Sequence, residues 1–212
     1  MVLESAKSRY TYSANLLGYR DAIAGGAERV ALVGMGCMAS ATGAMQSRKA
    51  GKIARRLSLT IGLLCSKHFD DSIFEELFEK QYAIRRSDIV KMNIKGVFQI
   101  WTRDGNFHEA PLKEAHAYTR ERCTRCLDFA AAHADISTGG IGASGDWTLV
   151  IVRTDLGREL MSALVEHGLV ETRPGDDVPG AVTLLHKLAQ LSRKRWPETA
   201  SPGPRRIPLK VN

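Results

Sequence analysis

The densest chemistry in the chain is Cys123-Thr124-Arg125-Cys126. A C-x-x-C brings two soft thiols within reach of one metal ion, of a cluster, or of each other. Arg120, Arg122 and Arg125 surround it, and the stretch runs on through an acidic, small-residue turn, Ala134-Asp135-Ile136-Ser137-Thr138-Gly139-Gly140. The other two cysteines share a context. Cys37 follows the apolar run Val30–Val33 and Gly34, and Cys65 ends the run Leu57–Leu64. In a parallel sheet the C-terminal ends of strands lie on one edge, where ligand sites form. Two thiols on that edge could meet a C-x-x-C carried by a loop, and four thiolates at tetrahedral corners suit Zn²⁺ or a [4Fe–4S] cluster.

Spacing alone leaves the choice open. A structural zinc ribbon usually brings two C-x-x-C knuckles, and only one is present. The compact cysteine run of a bacterial ferredoxin is missing. A redox dithiol of the thioredoxin kind stands at the start of a helix after a strand; here a basic helix precedes the motif and Asp-Phe follows it. Buried thiols without a role are the fourth reading. The six histidines, at 68, 108, 116, 133, 167 and 186, form no H-x₃-H pair, so a histidine metal site is not expected. His133 reads as helix packing, and Trp101, Trp147 and Trp196 as core or helix-end packing. No G-x-G-x-x-G follows a strand, and there is no Walker A loop or G-x-S-x-G elbow.

The elements that must carry these residues alternate. Strands are predicted at Val30–Val33, Leu57–Leu64, Trp147–Thr154 and Leu169–Pro174, and a strand plus hairpin over Asp88–Leu112, turning at Asp104-Gly105. Within the hairpin, Val97, Gln99 and Trp101 alternate with Phe98, Ile100 and Thr102. Helices are predicted over Asp70–Tyr82, 113–121, Asp155–His167 and Gly180–Pro197. The expected fold is α/β, a mixed sheet with an antiparallel hairpin, flanked by helices.

At 212 residues, 44% hydrophobic and 25% charged, the chain suits one core or one domain plus a tail. No apolar run approaches the roughly 18 residues that span a bilayer, and the N-terminus lacks the apolar segment of a signal peptide. A cytoplasmic location follows as the expectation, and disulfides are rare there. The net charge of +7 is concentrated at the end: after residue 180 stand Lys187, Arg193, Lys194, Arg195, Arg205, Arg206 and Lys210 against Glu198 alone. With Pro197, Pro202, Pro204 and Pro208, this reads as a basic C-terminal helix and a solvated Pro-rich tail over 181–212, rather than a nucleic-acid footprint.

Four segments in order, Ala31–Cys37 (ALVGMGC), Ile61–Phe69 (IGLLCSKHF), Lys91–Gly96 (KMNIKG) and Cys123–Gly140 (CTRCLDFAAAHADISTGG), resemble the β-subunit family of coenzyme F420-reducing hydrogenases and dehydrogenases, which includes hydroxymethyl-chlorophyll a reductases. The resemblance covers roughly residues 9 to 175. It implies an iron–sulfur flavoprotein domain over 1–180 that carries FAD beside a [4Fe–4S] cluster. The family moves hydride between flavin and a substrate, often the deazaflavin coenzyme F420, and single electrons through the cluster. On this resemblance Cys37, Cys65, Cys123 and Cys126 are the cluster ligands. The segments Asn93–Gly96 and Asp135–Gly140 are flavin-contacting loops, with Asn93, Lys95, Gly96, Ser137, Thr138, Gly139 and Gly140 the candidate contacts. Glycines let backbone N–H groups approach a pyrophosphate, and Lys95 could neutralise phosphate or the reduced ring. Coenzyme F420 bears a phosphodiester and a tail of glutamates, so Arg120, Arg122 and Arg125 are candidate substrate contacts, or else offset cluster charge.

The sequence departs from the family where Pro-Cys-Gln usually surrounds the first cysteine; here it is Gly36-Cys37-Met38. Family members usually carry more chain before Arg9–Asn15, so an N-terminally short member is expected. Its partners would be the deazaflavin or another small redox substrate and a further redox subunit, with neither nucleic acid nor membrane. Two competing readings are a zinc-stabilised binding module with a basic tail and a cofactor-free remnant of the redox family.

Overall fold

A computed structural model describes residues 13–141 and 147–195. The Pro-rich tail, Trp196 and most of the N-terminal Arg9–Asn15 segment lie outside the described residues. The chain divides into two compact units: residues 1–13 with 67–124, and residues 14–66 with 125–212. The helix Pro179–Arg193 falls within the larger unit.

The larger unit begins with helix α1 (Asn15–Ala24), strand β1 (Val30–Met35), helices α2 (Gly36–Ser47) and α3 (Gly51–Arg56), and strand β2 (Leu57–Leu63). After the smaller unit it resumes with β6 (Ile136–Gly139), β7 (Leu149–Val152), α6 (Asp155–Glu166) and α7 (Pro179–Arg193). Its sheet has the order β1-β2-β6-β7. The first three strands are parallel, and β7 runs antiparallel to β6. Buried Tyr19, Leu32, Met38 and Leu57 hold α1 and α2 to the sheet, while Ala39, Ala131 and Ala134 form a second, tight contact. The small residues matter there. A Cβ on Gly62 would fall 2.3 Å from Ala131 Cβ and 2.8 Å from Ala134 Cβ.

Helix α6 starts at a cap: the Thr154 hydroxyl accepts Gly157 N–H at 3.1 Å and donates to the Asp135 carboxylate at 2.7 Å. Helix α7 opens with Pro179 in its first turn, where a missing N–H costs nothing.

The smaller unit holds β3 (Ile89–Ile94), β4 (Val97–Thr102) and β5 (Phe107–Pro111) in an antiparallel sheet of that order, followed by the short helices α4 (Leu112–Ala115) and α5 (Glu121–Thr124). Phe98 and Ile100 turn inward and meet Phe69, Phe74, Leu77 and Phe78. Phe98 packs tilted on Phe69 (5.3 Å between centroids) and edge-on to Phe78 (5.4 Å).

The mixed α/β class holds, with four local corrections. The predicted strand and hairpin over Asp88–Leu112 do not join the main sheet; they pair with each other in a sheet of their own. The helix predicted over Asp70–Tyr82 is π-wound across Ile73–Glu79, with Lys80 N–H reaching Glu75 O at 3.1 Å. The helix predicted over 113–121 breaks at a 3₁₀ turn, His116–Tyr118, because Thr119 bridges to Phe69 and Arg120 N–H donates to His68 O at 3.0 Å. No strand forms over Leu169–Pro174: Arg173 is drawn over the Trp147 ring at 4.2 Å, and Pro174 has no N–H for a ladder.

Candidate functional site

In the larger unit β1 and β2 pair in parallel, with the last rung at Met35 and Leu63. Cys37 and Cys65 each stand two residues past that rung. Cys37 is the second residue of α2 and is exposed. Among the described residues no side chain caps this helix, and its positive end favours an anionic thiolate. Cys65 leaves the sheet half-buried, its N–H bonded to Phe129 O at 2.9 Å. The Cys126 thiol lies 3.8 Å from Asp128 O. A Cβ on Gly36 would fall 2.6 Å from that same carbonyl and 2.9 Å from the Asp128 carboxylate. The segment Cys126–Phe129 thus touches the end of β1 through Gly36 and the end of β2 through Cys65. Three of the four cysteine backbones issue from one corner of this unit.

Cys123 belongs to the smaller unit, where its sulfur accepts His68 N–H at 3.4 Å. No disulfide joins any of the four cysteines. Among the described residues no group of three or more His, Cys, Asp and Glu side chains converges as a metal site. The donor chemistry, four reduced and partly accessible thiols, fits a thiophilic metal or an iron–sulfur cluster.

The expected turn at Ser137–Gly139 is strand β6. Ser137 is fully buried, and its hydroxyl is committed: it donates to Ala131 O at 3.1 Å and accepts from Arg153 at 2.5 Å. Arg153 also donates to Ala130 O at 2.8 Å. Burial lowers the pKa of this guanidinium, and the nearby Asp128 carboxylate opposes that shift. Asp128 in turn accepts Ala132 N–H at 3.0 Å. Arg153 and Asp128 therefore fix the segment that follows Cys126.

Asp135 is a fastener between strands, its carboxylate accepting Thr60 N–H at 2.8 Å and the Thr154 hydroxyl. The space beside Gly139 is filled by Leu64, 2.7 Å from where a Cβ would lie, whereas among the described residues no atom beyond the chain neighbours of Gly140 lies within 4 Å of its Cβ position. Thr138 and Gly139 are half-buried, and Gly140 is exposed.

In the smaller unit Asn93 pairs with Gln99 across β3 and β4 and caps its neighbour, with Oδ1 accepting Ile94 N–H at 2.9 Å. Lys95-Gly96 is the tight turn between these strands, with Gly96 at φ +76°. The Lys95 side chain is exposed. Arg120 is half-buried and Arg122 exposed in this unit; Arg125, also exposed, belongs to the larger one.

Sequence reasoning passed over Arg153 and Asp128. An arginine closing the otherwise apolar run Leu149–Val152 was the available signal for the first. The Asp-Phe after the C-x-x-C was the signal for the second.

The sequence and the mixed α/β fold have a counterpart among known proteins. Residues 27–178 match the family described as the C-terminal region of the coenzyme F420 hydrogenase/dehydrogenase beta subunit. The chain belongs to this family of oxidoreductases. It is 31% identical to coenzyme F420 hydrogenase subunit beta of Methanococcus voltae, over 92% of this chain and 70% of that protein. The same subunit of Methanothermobacter thermautotrophicus is also 31% identical, over 90% of this chain and 69% of its own. A chain of the F420-reducing [NiFe] hydrogenase complex from Methanosarcina barkeri, solved as a xenon derivative, superposes with a TM-score of 0.84. It is 30% identical, over 92% of this chain and 68% of that one. Among the described residues no helix is long and apolar enough to cross a membrane.

Proposed function

We propose that this chain is a redox subunit that exchanges hydride with a deazaflavin of the coenzyme F420 class and passes electrons singly to a partner redox protein. The observation that carries this reading is the corner where Gly36, Cys65 and Cys126 meet the Asp128–Phe129 backbone, within the segment matched by the family. When bound, FAD would take up electrons in pairs and a [4Fe–4S] cluster would release them one at a time.

The residues divide the work. Cys37, Cys65, Cys123 and Cys126 would hold the cluster as thiolates. Gly140 leaves backbone room for a phosphate, and Thr138 offers a hydroxyl donor beside it. Ser137 serves the site indirectly, by anchoring Arg153. Lys95 would supply positive charge to the flavin, and Arg120, Arg122 and Arg125 would attract the anionic tail of the deazaflavin. Four thiols also suit zinc, so the metal must be identified. The deciding experiment is anaerobic purification with iron, acid-labile sulfide, zinc and flavin analysis. About four irons and one FAD per chain, with a yellow-brown colour, are expected. Colourless protein containing zinc, or no metal, would overturn the reading.

A further inference from the structure

The family match ends at residue 178, and α7 begins at Pro179. The basic residues at its end are expected from sequence to be solvated, yet one returns to the candidate ligand corner. Arg195 donates from Nη1 to Ser66 O at 2.5 Å, across 129 positions of sequence. Helix α7 is seated in the larger unit by Ala181 and Ser192, both buried, and Arg195 N–H continues the winding onto Ser192 O at 3.1 Å. Ser66 directly follows Cys65. The Cys65 N–H is already taken by Phe129 O. Cys65 is thus held from one side by the segment after the C-x-x-C and from the other by the C-terminal helix.

Beyond Leu63 the β1–β2 ladder has ended; Leu64 N–H still reaches Thr138 O at 2.9 Å and Cys65 N–H reaches Phe129 O, and the next carbonyl, that of Ser66, takes the Arg195 guanidinium. A guanidinium suits this place. It is permanently charged, and its planar fork holds an acceptor with less loss of freedom than a lysine would. We propose that Arg195 is a positioning residue for Cys65: it fixes the strand end that carries the thiol and sets a permanent positive charge beside it. This rests on the iron–sulfur reading of Cys65 given above. A cation near a thiolate-bound cluster favours the more negative, reduced state and raises the midpoint potential.

The test uses the full chain with Arg195→Ala, Arg195→Lys and the neighbouring control Lys194→Ala. The first readout needs no cluster. In metal-free protein, amide hydrogen exchange over residues 64–67 should be roughly tenfold faster in Arg195→Ala, because a charge-assisted hydrogen bond has been lost. Arg195→Lys should restore part of the protection, and Lys194→Ala should match the parent. The second readout is the cluster midpoint potential, titrated by electron paramagnetic resonance. It should fall in Arg195→Ala, recover in Arg195→Lys and stay unmoved in Lys194→Ala. Should Arg195→Ala fail to fold, Arg195→Gln carries the same two measurements. Unchanged exchange overturns the positioning role, and faster exchange with an unmoved potential overturns the electrostatic one. A parent chain that takes up no iron overturns the cluster reading instead. The exchange measurement then decides the hold on Cys65 by itself.

Discussion

At the scale of single residues, the cysteines and Lys95 carry the chemistry to be tested. Cluster ligands contribute folding energy as well as metal affinity, because a metal site rarely exists in the unfolded chain. Replacing Cys37, Cys65, Cys123 or Cys126 singly with Ser should remove most iron and acid-labile sulfide from anaerobically purified protein. Four variants with full iron would refute the ligand set. Lys95 stands at a hairpin tip with an exposed side chain, free to bend toward a ligand without unfolding its strand. Lys95→Ala should lower the flavin reduction potential or the flavin content, since a positive charge beside the ring favours the anionic reduced form. Spectroelectrochemistry and flavin counting decide this, and no change in either would remove Lys95 from the site.

At the scale of elements, the corner is held by close approach. Strand β2 lies against the turn preceding β6 because Gly62 leaves room for Ala131, Ala134 and the Ser137 hydroxyl, the last 3.0 Å from a Cβ built there. These neighbours are short side chains in a buried setting, so they cannot swing aside. Gly62→Ala should destabilise the chain by about 1–3 kcal/mol, the usual cost of overpacking a core, read as a lower denaturant midpoint with an unchanged slope. A midpoint equal to the parent's would mean that the turn yields. The element pattern was legible where one physical rule dominated. The apolar runs at Val30 and Leu57 became parallel strands, and the hairpin turning at Asp104-Gly105 formed as β4 and β5. It was not legible where distant partners intervene. The break at His116–Tyr118 comes from Thr119 and Arg120 bonding to Phe69 and His68, some fifty positions away.

At the scale of the whole molecule, charge and chain path bear on the substrate. The chain passes from the larger unit to the smaller between Ser66 and Lys67 and returns between Thr124 and Arg125. Cys65, Cys123 and Cys126 flank these two crossings in sequence. Arg122 and Arg125 flank the second, and both are exposed. If they attract the glutamate tail of a deazaflavin, salt should weaken them over a Debye length of about 8–10 Å. KM for the deazaflavin should then rise with ionic strength. Arg122→Glu should raise it further while leaving the rate with a small artificial acceptor unchanged. A flat KM, or equal loss with both acceptors, would move the substrate site elsewhere.

By itself the sequence determined the class of fold, the reduced thiols as the centre of interest and the family resemblance, which the match over residues 27–178 bears out. These are local or ordered properties: runs, alternations and motifs in series are written along the chain. Only the tertiary structure decided that Ser137 is buried beneath Arg153, that the Asp135 carboxylate fastens two strands, and that Arg195 returns to Ser66. Each joins groups from different elements, and Arg195 and Ser66 stand 129 positions apart. Which donor meets which acceptor over such separations depends on packing of the intervening elements, and no periodicity or spacing in the sequence encodes it.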